Sequence, residues 1–292
     1  MFSQIIGNLQ LKRRLQKLVA SPGHAYVMVG EAGIGKYNMA RAFAKALQCE
    51  NFTDDACGLC LSCRVFESGN HPDVLYVKST KTKAIGVEDI RTQLILPMSE
   101  KPFRYQYKIF IVNQPLTPQA QNALLKTIEE PAPFGVFLFL TESERLLLPT
   151  VLSRCVTLKF KPLTEEEVAQ SLGISPDNPA VKFSQGNPGR ARDLLESEDF
   201  AAMLNLAKNI SASIRDMDTV SMFGLYSQFD RWRESIQNLL DILYMQYAEG
   251  FNDLEGLEAI LDAKKALHQN GNFQMTIELM LLRMSGAAKL WK

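Results

Sequence analysis

The chain has 292 residues, 46% of them apolar and 22% charged, with 32 Lys+Arg balanced by 32 Asp+Glu. That length suits about two domains and the composition a globular fold, while zero net charge excludes a broadly basic surface for non-specific DNA binding and leaves only a local patch. No apolar run approaches the ~18 residues of a membrane span. The first residues also lack a signal peptide's order of charge, apolar block and small-residue cleavage site, so a cytoplasmic protein is expected.

In chain order, "MFSQIIGNLQLKRRLQKL" reads as an amphipathic helix. "HAYVMVG", apolar, β-branched and ending in Gly, predicts a strand, and "KYNMARAFAKALQC" a helix. A polar–apolar stretch occupies residues 87–96. Three further strand candidates, "YKIFIVN", "GVFLFLT" and "CVTLKF", alternate with the helix-like "TPQAQNALLKTIEE" and "LLLPTVLSR". This alternation predicts an α/β layer with a largely parallel sheet. The strand candidates are apolar almost throughout, as fits a sheet covered on both faces. Pro162 ends the last strand candidate, and Thr164 with Glu167 forms a T-x-x-E capping box that starts a helix. No strand is predicted after it. "SQGNPGRARDLLE" is a turn leading into a helix, and "RWRESIQNLLDILYMQYA", "LEAILDAKKALHQN" and "QMTIELMLLRM" are amphipathic helices. The expected organisation is an α/β domain at 1–161, a small helical piece at 162–206 and a helical domain at 207–292. Met and aromatic residues at 222–247 and 273–291 are read as packing.

"VGEAGIGKYNMA", Val29 to Ala40, has the form of a phosphate-binding loop. Gly30, Gly33 and Gly35 would let backbone N–H groups curl around phosphate oxygens, and Lys36 would meet the outer phosphates. Tyr37 stands where a Ser or Thr hydroxyl would coordinate Mg²⁺. After "YKIFIV", where an ATPase of this kind carries Asp or Asp-Glu, the residues are Asn113, Gln114 and Pro115. With both metal-holding positions lost, no ATP hydrolysis by the chain alone is expected, and weak nucleotide binding or none. A loop that merely turns strand into helix is preferred to a tight nucleotide site.

Cys49, Cys57, Cys60 and Cys63 give C-x₇-C-x₂-C-x₂-C. In a reducing compartment such clustering points to metal, and C-x₂-C pairs present two sulfurs from one tight turn, which Gly58 eases. A closed structural zinc site is expected; the alternative is a set of ordinary reduced cysteines. Cys155 is the odd cysteine, expected buried at the start of a strand, and His24, His71 and His268 show no ligand spacing.

"NALLKTIEEP" (Asn122 to Pro131), "LSRC" (Leu152 to Cys155), the phosphate-loop segment, the four-cysteine insertion, "GNPGRA" (Gly186 to Ala191) and "AKKALHQNGNFQMTIELMLLRM" together resemble bacterial DNA polymerase III clamp-loader subunits, gamma/tau and delta-prime, of the AAA+ class. The likeness runs from about Ile5 to Met284. It implies a RecA-like α/β AAA+ domain, a small helical lid and an all-α collar for oligomerisation. The implied partners are gamma/tau and delta subunits, with the sliding clamp and primer-template DNA reached through the assembled complex, and no membrane. The changes at Tyr37 and Asn113, and a chain that stops soon after the collar-like helices, match the delta-prime branch. The resemblance also implies that Ser153-Arg154 supplies an arginine finger in trans to a neighbour's ATP site. On composition alone, Arg154 would only cap the preceding helix. Thr141 matches a sensor position and Arg190 lies near a second. They are read instead as a strand-end hydrogen-bonding residue and as a surface or interdomain residue. Two other readings remain open: an active gamma/tau-like motor, or a zinc-containing DNA-binding module.

Overall fold

The structure, a computed structural model, describes residues 1–251 and 253–286, the Thr219 side chain excepted. The last residues of the expected collar and of the 273–291 packing stretch therefore lie outside the described residues. The chain forms two compact units that divide between Arg192 and Asp193.

In the first unit, a helix α1 (Leu9–Ala20) precedes β1 (Ala25–Val29), α2 (Lys36–Gln48) and α3 (Leu61–Glu67). Next come β2 (Val74–Val77), α4 (Val87–Ile90), a π-helical turn (Arg91–Ile95) and α5 (Leu96–Met98). The 87–96 stretch is thus helical. β3 (Lys108–Val112), α6 (Pro118–Glu129), β4 (Gly135–Thr141), α7 (Pro149–Leu152) and β5 (Val156–Lys159) complete the α/β part. The five strands are all parallel, in the order β2-β3-β4-β1-β5. This is the expected RecA-like layer.

Alternation within the strands explains its stability. Tyr26, Met28, Ile109, Ile111, Val136 and Leu138 pack on one face with α1 and α2 residues such as Leu15, Met39 and Phe43. Ala25, Val27, Phe110, Val112, Phe137 and Phe139 pack on the other with Ile90, Leu124 and Val151. A strand buried on both faces must be apolar at every position, which is why β1, β3 and β4 stood out in the sequence. β2 did not: it has four residues, lies at the sheet edge and leaves its two central residues half-buried. In "LLLPTVLSR" a 3-10 turn (Glu144–Leu146) ends at the first Leu and the α-helix starts only at Pro149, because the residue before a proline is held extended, as Leu148 is at ψ 142°.

The capping box forms as expected: Thr164 Oγ1 accepts from the Glu167 N–H at 3.2 Å, and Glu167 Oε2 accepts from the Thr164 N–H at 3.1 Å. It opens α8 (Glu165–Leu172), followed by α9 (Pro179–Phe183) and α10 (Pro188–Glu196). The division between units falls inside the 162–206 segment, so α8 and α9 cluster with the sheet.

The second unit is helical throughout its described residues. α11 (Phe200–Ser213) and α14 (Ile236–Gly250) pack together, and α14 leads through α15 (Leu254–His268) to α16 (Phe273–Met284). Short helices α12 (Thr219–Gly224) and α13 (Tyr226–Asp230) pack against α16. Its interior holds Phe229, Leu239, Leu243, Tyr247, Ile260 and Leu281. The described residues include no helix long and apolar enough to cross a membrane.

Candidate functional site: a filled phosphate loop, a thiol cluster and a surface arginine

The loop between β1 and α2 lies at the carboxyl end of the sheet, where open α/β sheets bind ligands. Gly33 (φ 80°) and Gly35 (φ 98°) adopt the left-handed backbone that only glycine takes without strain. A cavity of about 700 Å³ opens beside them, lined among others by Lys36, Tyr37, Asn113, Gln114, Thr141 and Glu142. The carbonyls of the loop are bonded from within the protein. Lys36 is 8% exposed, and its ammonium donates to Gly30 O at 2.6 Å and Glu31 O at 2.7 Å. Burial pushes its pKa down, against the opposing pull of Glu142 and Glu31. From the residue before α10, Asn187 Nδ2 donates to Ala32 O at 2.7 Å, and from its first turn the Gly189 N–H donates to Gly33 O at 3.1 Å. The two glycine backbones meet so closely that a Cβ on Gly189 would lie 2.5 Å from Gly33 Cα.

The metal-holding positions are occupied by groups with other duties. Tyr37 is 39% exposed, and its ring packs on Tyr76 at 6.3 Å with the Arg41 guanidinium 6.0 Å above it. Asn113 is exposed, and Gln114 Oε1 accepts from the Ser79 N–H at 2.7 Å, tying the end of β3 to the loop after β2. Thr141 makes the strand-end bond expected of it, to Ser143 O at 3.0 Å, while also lining the cavity. Arg190 is half-buried, and its N–H caps onto Asn187 Oδ1 at 3.2 Å. Sequence reasoning missed two charged residues of the cavity wall, Glu142 and Arg192. The available signal for Glu142 was its place directly after Thr141 at the carboxyl end of β4.

Cys49, Cys57, Cys60 and Cys63 converge, with all four sulfurs within 4.8 Å of one another and Cys57 Sγ 4.0 Å from Cys63 Sγ. Tetrahedral Zn–S bonds of ~2.3 Å place sulfurs about 3.8 Å apart, so the cluster needs only a slight contraction around an ion. Gly58 (φ 72°) makes the turn between Cys57 and Cys60. Backbone N–H groups point at the sulfurs: Cys57 N to Cys49 Sγ at 3.3 Å, Cys60 N to Cys57 Sγ at 3.4 Å and Cys63 N to Cys60 Sγ at 3.4 Å. The N–H groups of Cys60 and Leu59 bring the Cys57 thiol down to about 6, whereas burial pushes Cys49 and Cys63 up. Four sulfurs in this arrangement could hold a metal ion, because a cation lets them all be thiolates at once. Beneath the module, buried His71 accepts from the Asp73 N–H at Nδ1 (3.2 Å), leaving Nε2–H for Ser62 Oγ at 3.2 Å. That bonding makes it a structural neutral imidazole.

Arg154 lies in the turn between α7 and β5, apart from the cavity lining. Its side chain is 36% exposed and pairs with Glu129 at the end of α6. Nη1 donates to Thr150 O at 2.8 Å and to Ser153 Oγ at 3.2 Å. The helix-cap contact and the surface position thus coexist. Cys155, expected to be buried, is half-buried in the same turn because β5 is an edge strand; desolvation still pushes its thiol up to about 12.

Residues 7–164 match the family model described as DNA polymerase III, delta subunit. The chain is 26% identical to the DNA polymerase III subunit delta' of Bacillus subtilis over an alignment covering 94% of this chain and 96% of that one. It is 29% identical to DNA polymerase III subunit gamma/tau of Mycoplasma pneumoniae across 78% of its own length, but spans only 34% of that relative. In fold it is similar to a DNA polymerase III gamma subunit-related protein from Thermotoga maritima, with a TM-score of 0.51, 15% identity and coverage of 94% and 99% of the two chains. Because the family match takes in more than half of the chain, including the loop, the thiol cluster and Arg154, this protein belongs to the DNA polymerase III delta subunit family.

Proposed function

We propose that this chain is a clamp-loader subunit of the delta-prime kind. It does not turn over ATP itself, joins gamma/tau and delta subunits in the cytoplasm, and lends Arg154 to the ATP site of a neighbouring gamma/tau subunit. The helices at 162–206 would act as lid and those from 207 onward as the collar that packs in the ring. The observation that carries this reading is the contrast between the two cations. Lys36 is buried and bonded to carbonyls of its own loop, whereas Arg154 stands at the surface. A planar guanidinium there can grip two phosphate oxygens and take up charge developing in transit, which an ammonium does less well. Ser153 would orient it through its hydroxyl. Residual phosphate contact at Gly30, Gly33, Gly35 and Lys36 would first require the Lys36 ammonium to leave the carbonyls of Gly30 and Glu31. The thiol cluster would hold a structural zinc with no open position, fixing the α3 module without taking part in chemistry.

Reconstitution with gamma/tau, delta, clamp and primed DNA tests the reading. An Arg154→Ala chain should assemble normally, and the DNA-dependent ATPase and clamp loading should fall by the contribution of one site in the ring. A single-site finger can be worth ~10³-fold or more, but the remaining gamma/tau sites keep their own. Wild-type ATPase and loading rates from normally assembled Arg154→Ala complexes would return Arg154 to the helix-cap role.

A further inference from the structure

Arg154 does not point freely into solvent. Its Nη2 is engaged by the Glu129 carboxylate, its Nη1 by Thr150 O and Ser153 Oγ. These bonds use three of the five guanidinium N–H donors and leave two for an incoming oxygen. The residues that hold it share a stiff base. Buried Gln121 of α6 donates to Leu116 O and Leu146 O and accepts from the Leu148 N–H at 2.7 Å. Those contacts lock the start of α6 to the segment entering α7, and the position of Glu129 relative to Arg154 is set by two helices rather than by a loose loop. Glu129 is itself 45% exposed, so its attraction for the guanidinium is weakened by water.

We infer that Glu129 is the positioning residue for Arg154: a counter-ion that holds the guanidinium at the surface until a phosphate from the neighbouring subunit replaces it. The inference rests on the in-trans role of Arg154 proposed above. An ion pair this exposed is strong enough to select a rotamer and weak enough to be exchanged for a more highly charged anion. A carboxylate that must be displaced competes with ATP binding, so its effect should fall mainly on KM. The interaction of an exposed pair corresponds to a change of about 1.4- to 5-fold.

Glu129→Gln, Glu129→Asp, Arg154→Ala and the Glu129→Gln, Arg154→Ala double variant would be compared with wild type in the reconstituted complex, with kcat and KM for ATP measured separately. Glu129→Gln keeps the side-chain shape and removes the charge. It should lower KM by about 1.4- to 5-fold and leave most of kcat, and Glu129→Asp, which keeps the charge, should return KM toward wild type. In the Arg154→Ala background the Glu129 substitution should change nothing. If Arg154→Ala alone has no effect on turnover, the finger reading fails. If Arg154→Ala reduces turnover but Glu129→Gln leaves KM unchanged, or shifts it equally without Arg154, the finger stands and the Glu129 inference fails. In the isolated full chain, side-chain NMR of the Arg154 Nε–H group supplies a readout that needs no partner. Guanidinium rotation should be slow in wild type and faster in Glu129→Gln; equal rates in both would overturn the inference.

Discussion

Two places in the first unit are built to surround charge, and they have met opposite fates. In the phosphate loop the protein has turned its own donors inward: the Lys36 ammonium, the Asn187 amide and the Gly189 backbone satisfy carbonyls from Gly30 to Gly33. In the cysteine cluster nothing of the kind has happened, and four sulfurs face one another with backbone N–H groups turned toward them. A site that loses its ligand remains stable only if its polar groups find partners elsewhere. The carbonyls of the loop have found them within the protein. The sulfurs of the cluster have N–H donors but still face one another, a geometry that suits a cation among them.

The largest expected effect lies at the cluster. Protein purified without added metal should carry one zinc per chain by elemental analysis, and Cys60→Ser should abolish it. The module around Cys49–Cys63 should then lose protection from proteolysis while the sheet stays folded, because a peripheral segment can open locally. A stoichiometry near zero under reducing, chelator-free conditions would make the two sites alike and remove the contrast.

Next is the filled loop. Gly189→Ala places a methyl group against the Gly33 backbone, where no flexible side chain can yield. Overpacking of this kind should destabilise the protein by about 1–3 kcal/mol in denaturant unfolding. An unchanged midpoint would mean that the turn does not sit on the loop in solution.

A smaller effect belongs to His71, which burial holds below the ordinary imidazole pKa even with Asp73 pulling the other way. The folded protein therefore keeps this ring neutral at a pH where the unfolded chain, with a pKa of ~6.5, binds a proton. Its contribution is complete above that value and is lost as pH falls from there through the folded pKa, by at most about 1.4 kcal/mol per pH unit. Unfolding free energies measured from pH 7.5 down to pH 5.5 should fall more steeply for wild type than for His71→Asn. Parallel slopes would mean that the ring is hydrated.

The smallest effect is a null one. Tyr37→Thr restores a hydroxyl but leaves Asn113 exposed without charge and Gln114 bonded to Ser79. The isolated Tyr37→Thr chain, like wild type, should release no phosphate from ATP above background. Turnover by either that disappears with Lys36→Ala would show that the loop empties and that the motor reading is right.

Much of this was visible in the sequence for a simple reason. Strands buried on both faces must be continuously apolar, so β1, β3 and β4 announced themselves, and capping chemistry is local, so Thr164 and Glu167 fixed the start of α8. β2 escaped although β5, equally short and also at an edge, did not; two of the four β2 residues are buried. Glu142 and Arg192 escaped because nothing local brings the end of β4 and the middle of α10 to one cavity; the pairing of β1 with β4 and the bond from Gly189 to Gly33 do.

By itself the sequence determined the layer type, the loop glycines, the absence of carboxylates directly after β3 and the spacing of the four cysteines, since each depends on residues close together in the chain. Only the tertiary structure decided that Lys36 is turned inward, that Asn187 and Gly189 close the loop, and that Glu129 meets Arg154. The Lys36 bonds reach only five and six positions back, but those of Asn187, Gly189 and Glu129 join residues 25 to 156 positions apart and exist only once the sheet has set the distances between the elements that carry them.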